Sequence, residues 1–421
     1  MQGMVELCHG CGGCRGPQET TGGVMCPTYR AADEEIQSTR GRANMLRGAI
    51  NGELPADPTD DEFVTEVMDL CVGCKGCAKN CPSGVDMAKL KAEVEHAHHA
   101  EHGASLRTRL LGAFESLAPI GSALAPLSNL PGKLPGAGVL LEKALGIARE
   151  RDLPAFAAES LTDWFDARGG AAVSRDDADR EVLLFPDVYT TYTNPTAGKA
   201  AVRVLEAANC HVQIPDVTGS GRPPHSKGLL DESRATAQDT VETLTPDVDA
   251  GWDVVVVEPT DAVMLQSDYA DLLCGDASDV PDADVEALAE HTYGVMEYLD
   301  VHRLDEGLSF DAPTERLTYH GHCHQKATKK DHHAVGVLRR AGYGVDPLDS
   351  TCCGMAGSFG YEAEHYSMSQ AIGEILYEQV DESDGDVVVA PGASCSTQLK
   401  DRGIDAEEPP HPVEKLASAL A

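Results

Sequence analysis

Apolar positions along the chain recur with two different periods. Over the first hundred residues the period is helical: Ile36, Ala43, Leu46, Ala49 and Ile50 share one face of residues 32–50, and Phe63, Val67 and Leu70 continue it. Residues 85–102 also read as helix. From about residue 105 to 150 the chain is apolar but broken by Pro119, Pro126, Pro131 and Pro135. Prolines at that density forbid one long helix, so short packed helices are expected. A membrane-surface role is the competing reading of this stretch. Residues 167–180, ARGGAAVSRDDADR, form a polar linker and a predicted boundary.

Beyond the linker the pattern changes to short buried runs separated by amphipathic stretches. It also repeats, with a period of roughly 133 residues. EVLLFPD from Glu181 pairs with ERLTYHG from Glu315, VRVLEAAN from Val202 with VGVLRRAG from Val335, and DVVVVEP from Asp253 with DVVVAPG from Asp386. Each unit reads strand–helix–strand–helix–strand, which predicts parallel α/β layers. Open parallel sheets place their sites at the C-terminal ends of strands. The predicted segments are 1–103 (helical), 104–178 (helical connector), 179–302 (first repeat) and 303–421 (second repeat).

Charge narrows the functional classes. Lys plus Arg total 33 against 69 Asp plus Glu, a net charge of -36. Nucleic acid and anionic lipid would be repelled by that average surface. Arg supplies most of the positive charge, a balance that suits solubility in high salt, where self-repulsion is screened. Met1–Cys14 carries no apolar secretory stretch, and no segment reaches the roughly 18 apolar residues of a membrane helix. The expected location is the cytoplasm, with the inner face of the cell membrane as a candidate contact. Fourteen cysteines in a reducing compartment point to metal ligation or thiol redox chemistry rather than disulfides.

Twelve of those cysteines form three groups. Cys71-x2-Cys74-x2-Cys77-x3-Cys81-Pro82 has the bacterial [4Fe–4S] spacing. Two-residue gaps let three thiolates of one loop reach three corners of a cubane, while the fourth cysteine, a helical turn on, serves the other cluster. Cys8, Cys11 and Cys14 repeat the three-corner loop, with Cys26-Pro27 beyond RGPQETTGGVM, which can loop out. One predicted cluster takes Cys8, Cys11, Cys14 and Cys81. The other takes Cys71, Cys74, Cys77 and Cys26. A single CxxC would suit zinc equally; two such runs favour iron–sulfur.

The third group is Cys323, Cys352, Cys353 and Cys395, a candidate third cluster or a thiol pair, with His320, His322 and His324 beside it. The segments HGHCHQKA, DSTCCGMAGSFGYE and APGASCSTQ resemble the cysteine-rich CCG domain of heterodisulfide reductases. GGVMCPTYRAADEEIQSTRGRANML, DLCVGCKGCAKNCPSGVDMAKLKAE and RERDLPAFAAESLTDWF resemble the iron–sulfur part of FAD-linked 2-hydroxyacid dehydrogenases of the D-lactate or D-2-hydroxyglutarate type. The layout is also similar to the iron–sulfur subunits of glycolate oxidase and anaerobic glycerol-3-phosphate dehydrogenase. The resemblance implies an α-helical two-cluster ferredoxin domain followed by a tandem-repeat α/β (CCG) domain. It implies an electron-transfer subunit that relays electrons from flavin to quinone or another acceptor, without substrate turnover alone. The alternative it leaves open is a thiol–disulfide reductase subunit working through Cys352 and Cys353.

Departures from the family pattern matter. Near Asp187, Gly219–Gly221 and Asp261 the first repeat has no cysteine, so it reads as a scaffold without a cluster. The second repeat closes SCSTQ without a CxxC, which leaves ligands for one ordinary cluster. No Gly-rich flavin-binding turn appears, so FAD is expected on a partner chain. His322 and His324 are candidate residues beside the third site. His96, His98, His99 and His102 read as a solvated helix face, Arg40, Arg42 and Arg47 as salt-bridged helix residues, and Cys210 and Cys274 as buried small side chains.

Overall fold

The computed structural model describes residues 1–18, 23–55, 57–130, 136–403 and 406–421. Pro131, Pro135 and part of the RGPQETTGGVM loop lie outside them.

Short helices and loops build the N-terminal region, with a two-residue ladder between β1 (Pro17–Gln18) and β2 (Gly23–Val24). The first predicted long helix begins late. Ser38 accepts a hydrogen bond from the Gly41 N–H (2.9 Å) and caps Thr39–Ile50, while Glu35–Gln37 forms a single 3₁₀ turn before it. A Ser at the N-cap satisfies a donor that would otherwise be orphaned, which fixes the helix start there. Ala43, Leu46, Phe63, Val67, Val85, Met87, Leu90 and Val94 then close one core together with Cys14, Cys26 and Cys77.

Arg42 belongs to that core and is not salt-bridged, against expectation. Its guanidinium donates to Gln37 O, Gln37 Oε1 (2.7 Å), Thr28 Oγ1 and Val67 O (2.9 Å), and it is 1% exposed. The fork crosslinks the loop carrying Cys26 to the segment leading to Cys71. Arg42→Leu should lower stability by about 3 kcal/mol, because it leaves buried carbonyls unpaired; a shift of the denaturant midpoint checks this. Arg40 does pair, with Glu35 (2.8 Å), while Arg47 donates to Asn44 and to Cys8 O.

The connector forms Leu106–Gly112, Phe114–Ala123 (with Pro119 inside it), Ala137–Leu145 and Leu161–Ala167. Two parallel sheets follow. In the first, β3 (Arg180–Leu184) lies between β4 (Cys210–Gln213) and β5 (Asp253–Val256); in the second, β7 (Arg316–Tyr319) lies between β8 (Gly344–Pro347) and β9 (Val387–Val389). Both units are parallel, as the repeat predicted, and both place the first strand centrally. A further strand, β6 (Thr292–Gly294), extends the first sheet beside β5; three residues carry too little alternation to be read as a strand. Val182, Leu184, Val255, Leu317, Tyr319 and Val389 share one core between the sheets, and the C-terminal helix Pro412–Ser418 seals it.

Two minor expectations need correction. His98 Nδ1 meets Thr59 O (2.7 Å) and His99 Nε2 meets Lys227 O (3.0 Å), so part of the histidine face is packed. Cys210 is buried, but Cys274 is only half-buried.

Candidate iron–sulfur centres

The first cysteine loop turns through Gly10 and Gly12, both at positive φ (69° and 80°). These left-handed residues curl the loop so that Cys8, Cys11 and Cys14 face inward around a small hollow. Cys81 and Pro82 complete its wall, with Met25, Thr39 and Arg40, and Cys26 is not part of it. Cys26 lies between the two loops, its N–H donating to Cys14 O (3.4 Å). Its thiol donates to Gln37 O (3.3 Å) and stands near enough to Cys14, Cys74 and Cys77 to raise all three. Cys81 thus walls the hollow of the first loop, while Cys26 stands within reach of Cys14 as well as of Cys74 and Cys77.

Burial and mutual repulsion push the Cys74 and Cys77 thiols up, and burial pushes Cys14 up as well. Thiols so placed are held together at a cost that a positively charged metal centre would relieve. Backbone amides already point at sulfur: Arg40 N–H to Cys14 Sγ (3.4 Å) and Met87 N–H to Cys77 Sγ (3.3 Å). Donors of this kind hold and tune cluster sulfurs. The eight residues fit two [4Fe–4S] groups by donor chemistry.

The third group also converges. Cys323 begins the helix Cys323–Ala327 after β7, Cys352 and Cys353 lie in the loop after β8, and Cys395 lies in Ala393–Lys400 after β9. All four stand beyond the C-terminal ends of their strands, the usual place for a site in a parallel sheet. Gly354 has φ 93°, and a Cβ there would sit 2.4 Å from Ser369 O, so only glycine lets the Cys352–Cys353 loop pack this closely. Gly354 N–H donates to Cys352 Sγ (3.4 Å). Cys352, Cys353 and Cys395 are buried. Their neighbours drive the Cys353 thiol well down, chiefly through Cys352 and Cys395, while Cys352 and Cys395 move up.

His320 joins them directly: its ring and the sulfurs of Cys353 and Cys395 lie within 4.8 Å of one another. The two histidines singled out from sequence play different parts. His322 Nδ1 accepts from the His324 N–H (3.2 Å) and caps the cysteine helix. His324 Nδ1 accepts from Arg222 (2.9 Å), and its Nε2–H donates to Gly73 O (3.0 Å) in the second cysteine loop. Burial holds both imidazoles neutral, His322 at about 3. Arg222 also pairs with Asp268 (2.7 Å), which pairs with Lys75 of the second cysteine loop (2.6 Å). This chain of contacts clamps the ferredoxin-like loop onto the second repeat. Val72, Cys352, Phe359 and Ile372 pack with Cys74 and Cys323 in one apolar cluster at the junction.

The corresponding place in the first repeat holds oxygen instead of sulfur. An offset of roughly 133 residues carries His320 to Asp187, Cys353 to Ser220 and Cys395 to the neighbourhood of Asp261. Ser220 Oγ donates to Asp261, the Ser220 and Gly221 amides donate to Glu115 of the connector (2.9 and 3.2 Å), and Glu258 N–H donates to Asp187 (3.3 Å). Burial, then like charge, raises Glu115 and Glu258 to about 8 and Asp187 to about 7. Protonated carboxyls in a satisfied hydrogen-bond network fill this position.

Residues 4–85 match the 4Fe-4S dicluster domain, and residues 317–400 match the CCG Cysteine-rich domain. A subunit of anaerobic glycerol-3-phosphate dehydrogenase from Escherichia coli (strain K12) is 30% identical over 323 residues, 75% of this chain and 78% of that protein. The glycolate oxidase iron-sulfur subunit of the same organism is 20% identical over 417 residues, 95% of this chain and 91% of that one. The D-2-hydroxyglutarate dehydrogenase of that organism is 24% identical over 441 residues, 94% of this chain but 42% of that longer protein.

Proposed function

The chain belongs to the family of that anaerobic glycerol-3-phosphate dehydrogenase subunit, and on that premise we propose that it is the electron-transfer subunit of a flavin-dependent dehydrogenase. The partner chain carries the FAD and oxidises a 2-hydroxy acid of the D-lactate or glycolate type, or glycerol-3-phosphate. Quinone or another carrier is the acceptor. Three centres are assigned: Cys8, Cys11, Cys14 and Cys81; Cys71, Cys74, Cys77 and Cys26; and Cys323, Cys352, Cys353 and Cys395, with His320 at the last. Bound clusters would supply one-electron carriage.

The observation that carries this reading is that Cys74 and Cys323 pack against one apolar cluster, that of Val72, Cys352, Phe359 and Ile372. That shared cluster supports placing the second and third centres next to each other. The Lys75–Asp268–Arg222–His324–Gly73 relay keeps the two loops in register and brings two cations to the thiolates' side. The first centre lies at the other end, where Cys11 is exposed, and offers an edge for docking. The connector's exposed leucines, among them Leu124, Leu127 and Leu140, support a contact with the inner face of the cell membrane. Among the described residues no helix is long and apolar enough to cross a membrane.

Iron analysis of anaerobically purified protein tests the assignment. Three centres give about twelve irons per chain, and two give about eight. Cys353→Ser should then remove about four irons and leave the N-terminal signals intact in electron paramagnetic resonance. A colourless chain holding only zinc would sink the proposal.

A further inference from the structure

Cys395 lies in the first turn of the helix Ala393–Lys400. A sulfur so close to a helix start goes wherever that turn goes. The turn has no cap of its own. Its N-cap is Gly392, preceded by Pro391, and neither offers a side-chain acceptor to the first free amides. Nor is there room for one at 392. A Cβ there would stand 2.6 Å from His322 Cδ2 and 3.4 Å from Glu258 Oε1, so glycine is what fits.

The acceptor comes from the other repeat. Glu258, 4% exposed, accepts at Oε2 from the Ala393 N–H (2.9 Å). Its Oε1 serves the helix that Glu258 itself begins, Pro259–Val263, by accepting from the Thr260 N–H (3.3 Å) and O–H (3.0 Å). One carboxyl thus caps two helices. The two are counterparts: with Asp253 aligned on Asp386, Glu258 falls on Pro391 and Pro259 on Gly392. The repeat without the cysteine group has the acid, and the repeat with it has proline and glycine in that place.

The contact reaches further into the third group. Ser394, next in the same turn, accepts at Oγ from the Gly357 N–H (3.1 Å), in the loop that carries Cys352 and Cys353. The first repeat also holds the remaining cysteine helix, through Arg222 and His324 (2.9 Å). The Cys395 thiol, raised chiefly by its bond to Cys353 and by burial, feels Glu258 as well. Burial pushes the Glu258 carboxyl up to about 8, so at pH 7 it supplies an acceptor without adding negative charge beside the cysteines.

We propose that Glu258 is a positioning residue of the third centre: the first repeat supplies the cap that fixes the start of the Cys395 helix, and through it the place of that sulfur and the centre's potential. The inference rests on reading Cys323, Cys352, Cys353 and Cys395 as an electron-carrying centre, and it gives the cysteine-poor repeat a part in it. A role confined to the first repeat would need only the bonds to Thr260.

Three variants of the anaerobically purified full chain test it. Glu258→Asp keeps an acid and a good cap for Pro259–Val263 but is one methylene too short to reach Ala393 as well. Glu258→Gln keeps the reach, with its oxygen on the Ala393 N–H and its amide N–H on Thr260 Oγ1. Ser220→Ala disturbs the same carboxyl network and leaves the cap alone. Hydrogen exchange read by mass spectrometry follows the helix start, and a redox titration read by electron paramagnetic resonance follows the third centre. Glu258→Asp should speed exchange in residues 392–396 about tenfold and shift the third-centre potential. Exchange in residues 259–263 and the potentials of the N-terminal centres should stay put. Glu258→Gln and Ser220→Ala should match the wild type in residues 392–396 and in the third-centre potential. Unchanged exchange and potential in Glu258→Asp overturn the proposal. So does an equal change in Ser220→Ala, since that is a general loosening of the network. A wild-type chain with about eight irons refutes the third-centre reading instead, and the exchange of residues 392–396 still decides the cap.

Discussion

Cys81→Ser should remove about four irons and the resonance signal of the centre built on Cys8, Cys11 and Cys14, although Cys81 lies in the second motif. Cys26→Ser should do the converse and remove the centre built on Cys71, Cys74 and Cys77. The hollow of the first loop is walled by Cys81 and not by Cys26, and Cys26 lies near Cys74 and Cys77. Double variants make the test decisive, because residues serving one centre are not additive. Cys11→Ser with Cys81→Ser should lose about four irons, no more than either alone, while Cys11→Ser with Cys26→Ser should lose about eight. The reverse pattern would mean that each motif closes its own cluster, and the exchanged assignment would be wrong.

Much of this arrangement is legible in local sequence because the relevant spacing is local. Two-residue gaps between cysteines fix a three-corner loop whatever surrounds it, and DVVVV and DVVVA mark buried parallel strands by themselves. The parallel layers of both repeats followed from that periodicity, but not their strand order. What stayed hidden depends on contacts between distant segments. His320 meets Cys353 and Cys395 only because three strand ends converge; applying the repeat offset to Asp187 was the available signal. Arg222 sits in RPPHS, which reads as a broken turn, yet it bridges Asp268 and His324 from two other segments. Arg42 lies on a helix that pattern alone would leave half exposed, and the Cys26 loop folds back over it. The carboxyls of the first repeat were visible as missing cysteines, but their network needs Glu115, which the connector supplies across more than a hundred residues of sequence.

That network makes stability fall as pH rises through neutrality. Glu115 and Glu258 ordinarily titrate at 4.5 and Asp187 at 3.8; in the fold they reach about 8, about 8 and about 7. Their folded values are raised, so between the two values the native state holds protons that the unfolded chain has released. Their stabilisation is complete below about pH 4 and is lost as pH climbs through 7 to 8. The buried histidines act in the other direction and lower down: His225 and His322 sit at about 3 against 6.5, so their contribution fades only as pH drops below about 6.5. Above pH 6.5 the histidines drop out, which leaves these carboxyls and, toward pH 9, the buried thiols. Glu115 by itself should cost roughly 2 kcal/mol across that window, at about 1.4 kcal/mol per pKa unit. Glu115→Gln keeps an oxygen for the Ser220 and Gly221 amides and cannot ionise. Its urea midpoint should be flatter between pH 6.5 and 9 and should exceed the wild-type midpoint at pH 9. A second process also weakens an acidic chain as pH rises, namely self-repulsion across a surface of net charge -36. Salt separates the two, because molar salt shortens the screening length to about 3 Å and suppresses repulsion between exposed charges while barely reaching a buried network. The difference between wild type and Glu115→Gln should persist in high salt; a difference that vanishes there would assign the pH dependence to the surface and not to these carboxyls.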